Sequence, residues 1–333
     1  MIAMRDKMTF PSIAVFAVYF GPLPAYFQLW LDSCGYNRAV DWLLFVDADV
    51  SRYDIPPNVL VRRSTLVDLS SRVGLALGIE LAPSYPYKFC DFRPALWVLL
   101  SEEGKKYDFW GHCDLDMIFG NLNVFLTEDM FSNYDKIFTV GHFTLYRNAT
   151  SVNKMFEAWH PEMDWREVMA DPRHRGFDEH IGVNRIWRAA GARMLEREEI
   201  IANIDPHIER FERAVPSRNY RRQLFYFERG HVLRTYLAGA EWRIDEFMYI
   251  HFQKRNMTCL PAPGATRYAI APGGFFDMPD HVSASSLTEQ LNPFHFRPAD
   301  SLHRLRSTIR SWRRSVGLGP RIPSLRCTVE KNP

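Results

Sequence analysis

The stretch YDFWGHCDLDMIFGNL, which runs from Tyr107 to Leu122, predicts a buried strand that ends in two carboxylates. The run before the carboxylates is mostly apolar and aromatic, which is typical of a strand with both faces covered in a parallel sheet. Asp114 and Asp116 follow this run, one residue apart. Because a buried carboxylate without a partner is costly or takes up a proton, the sequence predicts a cation at this end of the strand.

Two strands earlier in the chain extend this prediction to a parallel sheet. SIAVFAVYFG (12–21) and VDWLLFVDAD (40–49) are continuous apolar runs, and the helical pattern PAYFQLWLDSCGYN (24–37) lies between them. A strand–helix–strand unit predicts a right-handed crossover between parallel strands. We therefore expect an α/β protein with a mostly parallel central sheet flanked by helices. Ligands of such sheets bind at the carboxyl ends of the strands.

The second half of the chain is more charged and less regular. DKIFTVGHFTLYRN (135–148) predicts a pair of strands and Phe247 to Phe252 a further strand, whereas residues 161–222 favour helices. We therefore expect the second half to be largely helical. No internal repeat or low-complexity linker divides the chain, so we expect one main domain over residues 1–260 and a C-terminal extension over residues 261–333.

Composition and charge narrow the class of protein. The 333 residues are 47% hydrophobic and 24% charged, as in a folded protein, and the net charge of +2 gives no argument for nucleic acid as a partner. The five cysteines are widely spaced without a CxxC pair, which argues against a disulfide framework and a structural zinc site. The apolar run near the N-terminus is too short to cross a bilayer. We expect a cytoplasmic protein.

The spacing of Asp114 and Asp116 suits a hard divalent cation. Alternation along a strand would place both carboxylates on one side, about 7 Å apart. Mg²⁺ and Mn²⁺ take few protein oxygens and complete their coordination with phosphate and water. A cation held here could stabilise negative charge on a leaving diphosphate. The alternative is structural, with one Asp capping a turn and the other pairing with an Arg.

A second pair of carboxylates, Asp47 and Asp49, closes the second predicted strand. An apolar strand followed by this pattern can mark an aspartyl phosphohydrolase, in which Asp47 would be the phosphorylated nucleophile. Such an enzyme also needs a Lys and a downstream acidic pair, which the sequence does not locate. Asp47 could instead line a nucleotide cleft, since it too lies at a strand end. A non-catalytic carbohydrate-binding module is a third hypothesis.

Five motifs together resemble an uncharacterised bacterial family of glycosyltransferase-like proteins found among polysaccharide biosynthesis genes. The resemblance extends from Ser12 to Met257, and its motifs are YFGPLP, YKFCDFRPALWVLL, YDFWGHCDLDMIFGNL, GHFTLYRN and YIHFQKRNM. Their order is also similar to that of DxD sugar transferases of the GT-A fold. The resemblance implies a GT-A-like, Rossmann-type domain with Mn²⁺ or Mg²⁺ at the DxD pair. It also implies a nucleotide-diphospho-sugar donor, with a UDP-sugar favoured, and a saccharide or lipid-linked saccharide acceptor in surface polysaccharide synthesis.

Several residues are expected to contact the donor if this resemblance holds. Lys88 and Arg93 could neutralise the diphosphate. Asp91 lies between them and could orient Arg93 or accept a hydrogen bond from a sugar hydroxyl. The alternative is a salt bridge at the start of a helix. Tyr19 and Phe20, at the end of the first strand, are expected to pack near the nucleotide base.

Residues late in the chain complete the predicted site. The resemblance implies that His251 is a third metal ligand, and an imidazole suits Mn²⁺ better than Mg²⁺. Lys254, with Arg255 beside it, is expected to bind the departing phosphates. GHFTLYRN resembles the strand that lines the donor-sugar pocket, which makes His142 and Arg147 candidates there.

The loop GFDEHIGVN supplies two more carboxylates, Asp178 and Glu179. An inverting transferase needs a carboxylate general base within hydrogen-bond distance of the acceptor hydroxyl. In a retaining enzyme the same carboxylates could hold hydroxyls of the donor sugar. The structural alternative is that they cap the helix that follows.

The segment over residues 301–316 has the pattern of a basic amphipathic helix. Arginines occupy half of the positions between its apolar residues, which recur at spacings of three and four: Leu302, Leu305, Ile309, Trp312 and Val316. Such a helix is expected to dock on anionic lipid, which would make the protein peripheral on the inner face of the cell membrane. The alternative is that the apolar stripe packs on the domain.

Overall fold

The computed structural model describes residues 10–309, apart from 82, 84, 105, 180–181, 216–217, 254, 295–299, 302 and 307–308. These residues form three β-sheets with helices, which confirms the α/β class. The strands are β1 (Ile13–Tyr19), β2 (Val40–Val46), β3 (Val59–Arg63), β4 (Phe109–Cys113), β5 (Met117–Phe119), β6 (Lys136–Val140), β7 (Phe143–Arg147), β8 (Met194–Leu195), β9 (Ile201–Asn203), β10 (Gln223–Glu228), β11 (His231–Ala238), β12 (Glu241–Phe247), β13 (Tyr249–His251), β14 (Thr258–Cys259), β15 (Arg267–Ala271) and β16 (Gly274–Asp277). The α-helices are α1 (Phe27–Gly35), α2 (Leu66–Leu77), α3 (Leu122–Phe125), α4 (Glu128–Asn133), α5 (Thr150–Asn153), α6 (Trp165–Ala170), α7 (Val183–Ala189) and α8 (Thr288–Leu291). A long segment of 3-10 character spans Pro86–Glu103, and shorter ones span Met155–Glu157, Glu198–Ile200 and Ala284–Leu287.

The central sheet has seven strands in the order β3-β2-β1-β4-β7-β6-β8. Its first four strands are parallel, whereas β7 runs antiparallel to β4 and β6. On one face α1 packs through Phe27 and Trp30, and on the other face α2 and the long 3-10 segment pack through Val73 and Leu96. Both faces of the first strands are therefore buried, which explains their continuous apolar sequences. The predicted helix-flanked, mostly parallel sheet is confirmed.

A small sheet joins the two halves of the chain beside the carboxylates. β13 pairs antiparallel with β5 and parallel with β9, which sets His251 opposite Met117 and Asn203. Because β5 begins directly after Asp116, this register brings His251 next to the DxD pair.

The expectation of a largely helical second half is wrong. Residues 223–277 contribute to a six-stranded sheet in the order β12-β11-β10-β15-β16-β14. Its first two hairpins turn through left-handed residues, with φ of 47° at Arg229, 88° at Gly230 and 63° at Gly239. The outer strand β12 is largely exposed, so its sequence is polar and does not show an apolar run. Strands on both sides of residue 260 belong to this sheet, and the division of the chain at that residue stays a prediction.

Helices in the described part of the chain are short. None of them is long and apolar enough to cross a membrane. Of the predicted C-terminal helix, residues 300, 301, 303–306 and 309 have helical backbone, whereas Leu302, Trp312 and Val316 lie outside the described residues.

Candidate functional site

The two carboxylates after β4 and the imidazole at the end of β13 converge. His251 Nε2 lies 3.3 Å from Asp116 Oδ1 and 3.8 Å from Asp114 Oδ2. Backbone hydrogen bonds fix the turn between β4 and β5, since the Asp114 N–H donates to the His142 carbonyl (3.0 Å) and the Phe252 N–H to the Asp116 carbonyl (3.1 Å). One ligand atom from each of the three side chains lies within 4.8 Å of the others. The structure thus brings together the three residues predicted as metal ligands.

A second layer of side chains sets the tautomer of His251. Its Nδ1 lies 2.9 Å from Asn203 Oδ1, and the Gln253 amide donates to the same oxygen at 2.8 Å. Because an amide oxygen only accepts, His251 donates from Nδ1, and its Nε2 faces the two carboxylates. Two carboxylates that face one another repel, and a cation between them removes the repulsion. Zinc and other metal sites orient their histidines in this way.

We expect Asn203→Ala to lower the Mn²⁺ affinity by about 10- to 100-fold, because the Nδ1 partner that orients His251 is lost. Calorimetric titration with Mn²⁺ measures this directly. Asn133→Ala is the matched control, since Asn133 is an exposed residue that bonds to Asp129 in α4. Unchanged Mn²⁺ binding in a folded Asn203→Ala protein would contradict the assignment.

His142 packs against the candidate metal ligand His251. Its ring stacks on that of His251, with 4.0 Å between centroids, and its Nε2 shares a hydrogen bond of 3.0 Å with the Tyr249 hydroxyl. Burial, with smaller contributions from His251 and Arg93, holds the pKa of His142 well below its usual value, so the ring is neutral. Its ring nitrogen is thus already paired with Tyr249, and the ring packs against a candidate ligand.

Arg93 connects the DxD pair to the loop that contains Asp178. Its guanidinium pairs with Asp114, and it donates at 2.8 Å to both Asp178 Oδ2 and the Gly141 carbonyl. Burial raises the pKa of Asp114 to about 6, and the nearby Asp116 adds to the rise against the opposing effect of Arg93. Asp178 is buried at 3% exposure, and its Oδ1 has no hydrogen-bond partner among the described residues.

Lys88 and Asp91 lie in a different place from the one predicted. Both are fully buried, and Lys88 Nζ donates to Asp91 Oδ2 (2.8 Å) and to the Val168 carbonyl (2.7 Å). The two oxygens of Asp91 also accept the backbone N–H groups of Arg175 and Phe177, each at 2.8 Å. The ion pair therefore holds the loop that leads to Asp178, and neither residue is among those that line the cleft.

The 3-10 backbone explains this division. Residues three apart lie on the same side of such a helix. Lys88 and Asp91 share the buried side, whereas Tyr87, Cys90 and Arg93 share the side that lines the cleft. Of Lys88, Asp91 and Arg93, only Arg93 therefore lines the cleft.

The charges of this network fit one divalent cation. The network has four carboxylates, which are those of Asp91, Asp114, Asp116 and Asp178. The cations Lys88 and Arg93 offset two of these charges, which leaves two negative charges. His174 forms a second group with Asp91 and Asp178, at 3.7 and 3.9 Å, but a Lys and an Arg already pair with those two carboxylates. Arg93 is shared between Asp178 and Asp114, and we place the candidate cation at Asp114, Asp116 and His251, where two carboxylates and an imidazole converge.

A cleft of about 690 Å³ opens at the carboxyl ends of β1 and β4. This volume is in the range of sites for nucleotide-sized ligands. Its lining includes Asp114, Asp116 and five aromatic residues: Tyr19, Phe20, Tyr26, Tyr87 and Phe89. Tyr19 and Phe20 thus line the cleft, and their contact with a nucleotide base stays a prediction. Arg255 also lines the cleft, and its guanidinium donates to backbone carbonyls of residues 205–209.

Other predicted residues lie outside the cleft lining. Asp47 Oδ1 accepts the Gly21 N–H at 2.8 Å and so joins the segments that follow β2 and β1, whereas Asp49 accepts from the backbone and hydroxyl of Ser51 within its own turn. Glu179 is exposed beside Asp178 and does not contribute to the cleft lining. The Arg147 guanidinium donates to carbonyls at the end of α4. Lys254 lies outside the described residues.

Two non-glycine residues with left-handed backbone flank the centre. Phe138, with φ of 67°, lies in the β6 irregularity that precedes Gly141 and His142, and Gln253, with φ of 40°, follows His251 by two residues. Such conformations cost energy and persist where the surroundings impose them, often at functional sites.

The sequence contains no local signal for three residues near the centre, Asn203, Tyr249 and Gln253, because their importance depends on the pairing of β13 with β9.

A buried lysine supports the Asp178 loop from the sheet side. Lys136 Nζ donates to Asn184 Oδ1 (2.5 Å), and the Asn184 amide donates to the carbonyls of Thr139 (2.8 Å) and Glu179 (3.3 Å). Burial lowers the pKa of Lys136 to about 7, against the opposing charge of Asp178. Arg188 adds to the lowering.

This pKa predicts a pH dependence of stability. Between about pH 7 and the usual lysine pKa of about 10.4, the unfolded chain binds more protons than the folded one, so the Lys136 contribution rises with pH by at most about 1.4 kcal/mol per unit. We expect Lys136→Met to remove this rise, so that the variant gains on the wild type as the pH is lowered through this range. Urea titrations at several pH values measure the difference, and a difference independent of pH would contradict the prediction.

Fold and site together define an α/β protein with a carboxylate–histidine candidate metal centre in a cleft at the carboxyl edge of a parallel sheet. The sequence matches a family of unknown function, DUF6625, over residues 15–279. The match spans most of the chain, which therefore belongs to this family. Comparison with curated proteins gives no match.

Proposed function

We propose that the protein is a metal-dependent glycosyltransferase of GT-A type, which transfers a sugar from a nucleotide-diphospho-sugar to a saccharide acceptor. The observation on which this rests is the convergence of Asp114, Asp116 and His251 beside the cleft at the carboxyl edge of the parallel strands. Two carboxylates and one imidazole suit Mn²⁺, and Mg²⁺ with less preference. The cation would stabilise negative charge on the diphosphate leaving group.

The cleft lining supports a donor that is aromatic at one end and anionic in the middle. Tyr19 and Tyr26 line the cleft at the end of β1 and shortly after it, where aromatic rings would suit a base. The pKa of Tyr26 is raised, by burial first and by Asp116 second, so its hydroxyl stays protonated and can donate a hydrogen bond. The metal ligands lie beside these rings, at the position that the diphosphate would take.

Arg93 and Asp178 lie on the far side of Asp114 from His251. Arg93 holds one oxygen of the Asp178 carboxylate, and the other oxygen lacks a hydrogen-bond partner among the described residues. A buried acceptor without a donor is costly, and a hydroxyl of a bound sugar would satisfy it. Asp178 is not among the residues that line the cleft, which it contacts through Arg93, so its role as the base for the acceptor or as a ligand of the donor sugar stays a prediction.

Calorimetric titration of UDP and of GDP, each with Mn²⁺ and with EDTA, tests the proposal. We expect one nucleotide to bind only with Mn²⁺, which would also identify the base, and a UDP-sugar is the favoured donor. Absence of binding by either nucleotide to the folded protein would overturn the nucleotide-sugar function.

A further inference from the structure

The strand β12 forms an open edge of the six-stranded sheet. Among the described residues it pairs with β11 on one side, and no strand lies along its other side. The Leu237 N–H in β11 donates to the Arg222 carbonyl (3.0 Å), so the backbone polar groups of Leu237 face away from β12. Trp242, which lies opposite Leu237, therefore turns its own N–H and carbonyl outward. Alternation along the strand extends this to Ile244 and Glu246.

The same edge exposes two large apolar side chains on one face of the sheet. Trp242 and Ile244 are 42% and 63% exposed, and residues two apart on a strand point to the same face. Leu237, opposite Trp242, is half-buried on that face. A free row of N–H and carbonyl groups pairs readily with another strand. Apolar side chains beside such a row suit the addition of a strand from another chain.

The charges of β12 select one arrangement for two copies of this strand. Antiparallel pairing about Ile244 sets Arg243 of each copy opposite Asp245 of the other, which is a favourable cross-strand pair. Pairing about Arg243 would set two arginines opposite each other, and pairing about Asp245 two carboxylates. Pairing about Trp242 would set Ile244 opposite the turn and leave Glu246 unpaired. The arrangement about Ile244 joins all three outward-facing residues, because Trp242 then lies opposite Glu246.

Ion pairs within the chain keep this edge from having a large excess charge. Each carboxylate of β12 has a basic neighbour in the described structure: Glu241 has Arg243, Asp245 has Arg234 and Glu246 has His231. The Asp245 side chain is still 35% exposed, and the pair with Glu241 uses one of the five N–H groups of Arg243. An anionic membrane is a poorer occupant, because the strand has three carboxylates and one arginine.

We propose that β12 is the interface of a two-fold symmetric dimer, in which two copies of the chain pair this strand antiparallel about Ile244. The pairing joins the two six-stranded sheets into one continuous sheet, and Trp242 and Ile244 of both copies meet on one face of it. Each favourable contact occurs twice in such an interface. The dimer goes beyond the proposed function and does not rest on it, because β12 contributes none of the cleft lining.

Sedimentation velocity of the full chain over a range of concentrations tests the interface. We expect a monomer–dimer equilibrium in the wild type. Ile244→Lys should raise the dissociation constant by at least about tenfold, because it buries a charge at the two-fold axis in each copy. Arg243→Asp should raise it by about tenfold, because carboxylates then lie opposite each other twice, whereas Arg243→Lys should keep the dimer.

Disulfide cross-linking tests the register. In the proposed dimer the two copies of residue 244 form a hydrogen-bonded pair with about 5.5 Å between their Cα atoms, a separation that a disulfide spans. Ile244→Cys should therefore cross-link into a covalent dimer on oxidation. Glu241→Cys is the matched control on the same strand, since its two copies would lie about 20 Å apart. The wild type measures the background from the native cysteines.

Leu75→Lys is the control for a general effect of the substitution, because Leu75 is an 86% exposed leucine on α2. It should dimerise as the wild type does, and circular dichroism establishes that each variant is folded. The interface is overturned if the wild type stays monomeric up to about 100 μM, or if Ile244→Lys dimerises unchanged. Equal cross-linking of Ile244→Cys and Glu241→Cys also overturns it. Ile244→Lys should keep the Mn²⁺-dependent nucleotide binding of the wild type, so the dimer and the proposed function fail separately.

Discussion

We expect the Asp116→Asn variant to bind Mn²⁺ more than about a hundredfold more weakly than the wild type, because loss of an outer-layer partner alone costs about 10- to 100-fold. The substitution keeps the shape of the side chain and removes one of two anionic ligands. Mn²⁺-dependent nucleotide binding should be lost with the metal. Calorimetric titration of Mn²⁺, and of UDP with Mn²⁺ present, measures both effects.

The same variant should unfold in EDTA at the same temperature as the wild type or at a higher one. Asp116 raises the pKa of the nearby Asp114, and an Asn in place of Asp116 removes this repulsion between like charges when no cation is bound. Weaker metal binding without loss of stability is typical of a residue that serves function at a cost to the fold. A destabilised variant with normal Mn²⁺ affinity would contradict the assignment of Asp116 as a ligand.

The second DxD pair is the matched control for this experiment. Asp47 and Asp49 have the same spacing and also follow a buried strand, and their carboxylates accept hydrogen bonds from Gly21 and from Ser51. Asp47→Asn should leave Mn²⁺ and nucleotide binding unchanged. If Asp47→Asn abolished activity on phosphoesters while Asp116→Asn spared it, the phosphohydrolase hypothesis would replace the transferase.

The sequence predicted the edge of the sheet and the two candidate carboxylate ligands there because the strands that lead to them are buried. Strands buried on both faces must be continuously apolar, so β1, β2 and β4 and the carboxylates at their ends are visible in the sequence. His251 came from the resemblance and not from a local pattern. Its approach to Asp116 depends on the pairing of β13 with β5, a long-range contact that spacing along the chain does not specify.

The predicted donor contacts failed at Lys88 and Asp91 because the motif alone does not say which side of the helical segment faces the core. Lys88 and Asp91 lie on one side at either helical period, and Arg93 lies on another. With the 3-10 turn, Lys88 and Asp91 face the core and Arg93 faces the cleft. Asn203 was missed for another reason, since nothing near it in the sequence distinguishes it from a surface residue.

The buried ion pair gives the largest stability effect that we expect. Asp91→Ala should lower the free energy of unfolding by about 3–5 kcal/mol, because it leaves the Lys88 ammonium buried without its counter-charge. It also removes the acceptor of two backbone N–H groups, those of Arg175 and Phe177. Urea denaturation measures the change. Glu162→Ala, which breaks an exposed pair with Arg185, should cost no more than about 1 kcal/mol.

Two comparisons decide whether Asp91 supports the loop or contacts the donor. Replacing both partners, in Lys88→Met with Asp91→Leu, should recover part of the lost stability, because no charge is then left buried alone. Asp91→Ala should also keep its Mn²⁺ affinity, since Asp114, Asp116 and His251 are unchanged. If Asp91→Ala were as stable as the wild type and yet lost nucleotide binding, Asp91 would contact the donor, as the sequence motif alone predicts. A destabilised variant that still binds Mn²⁺ would place Asp91 in the support of the Asp178 loop.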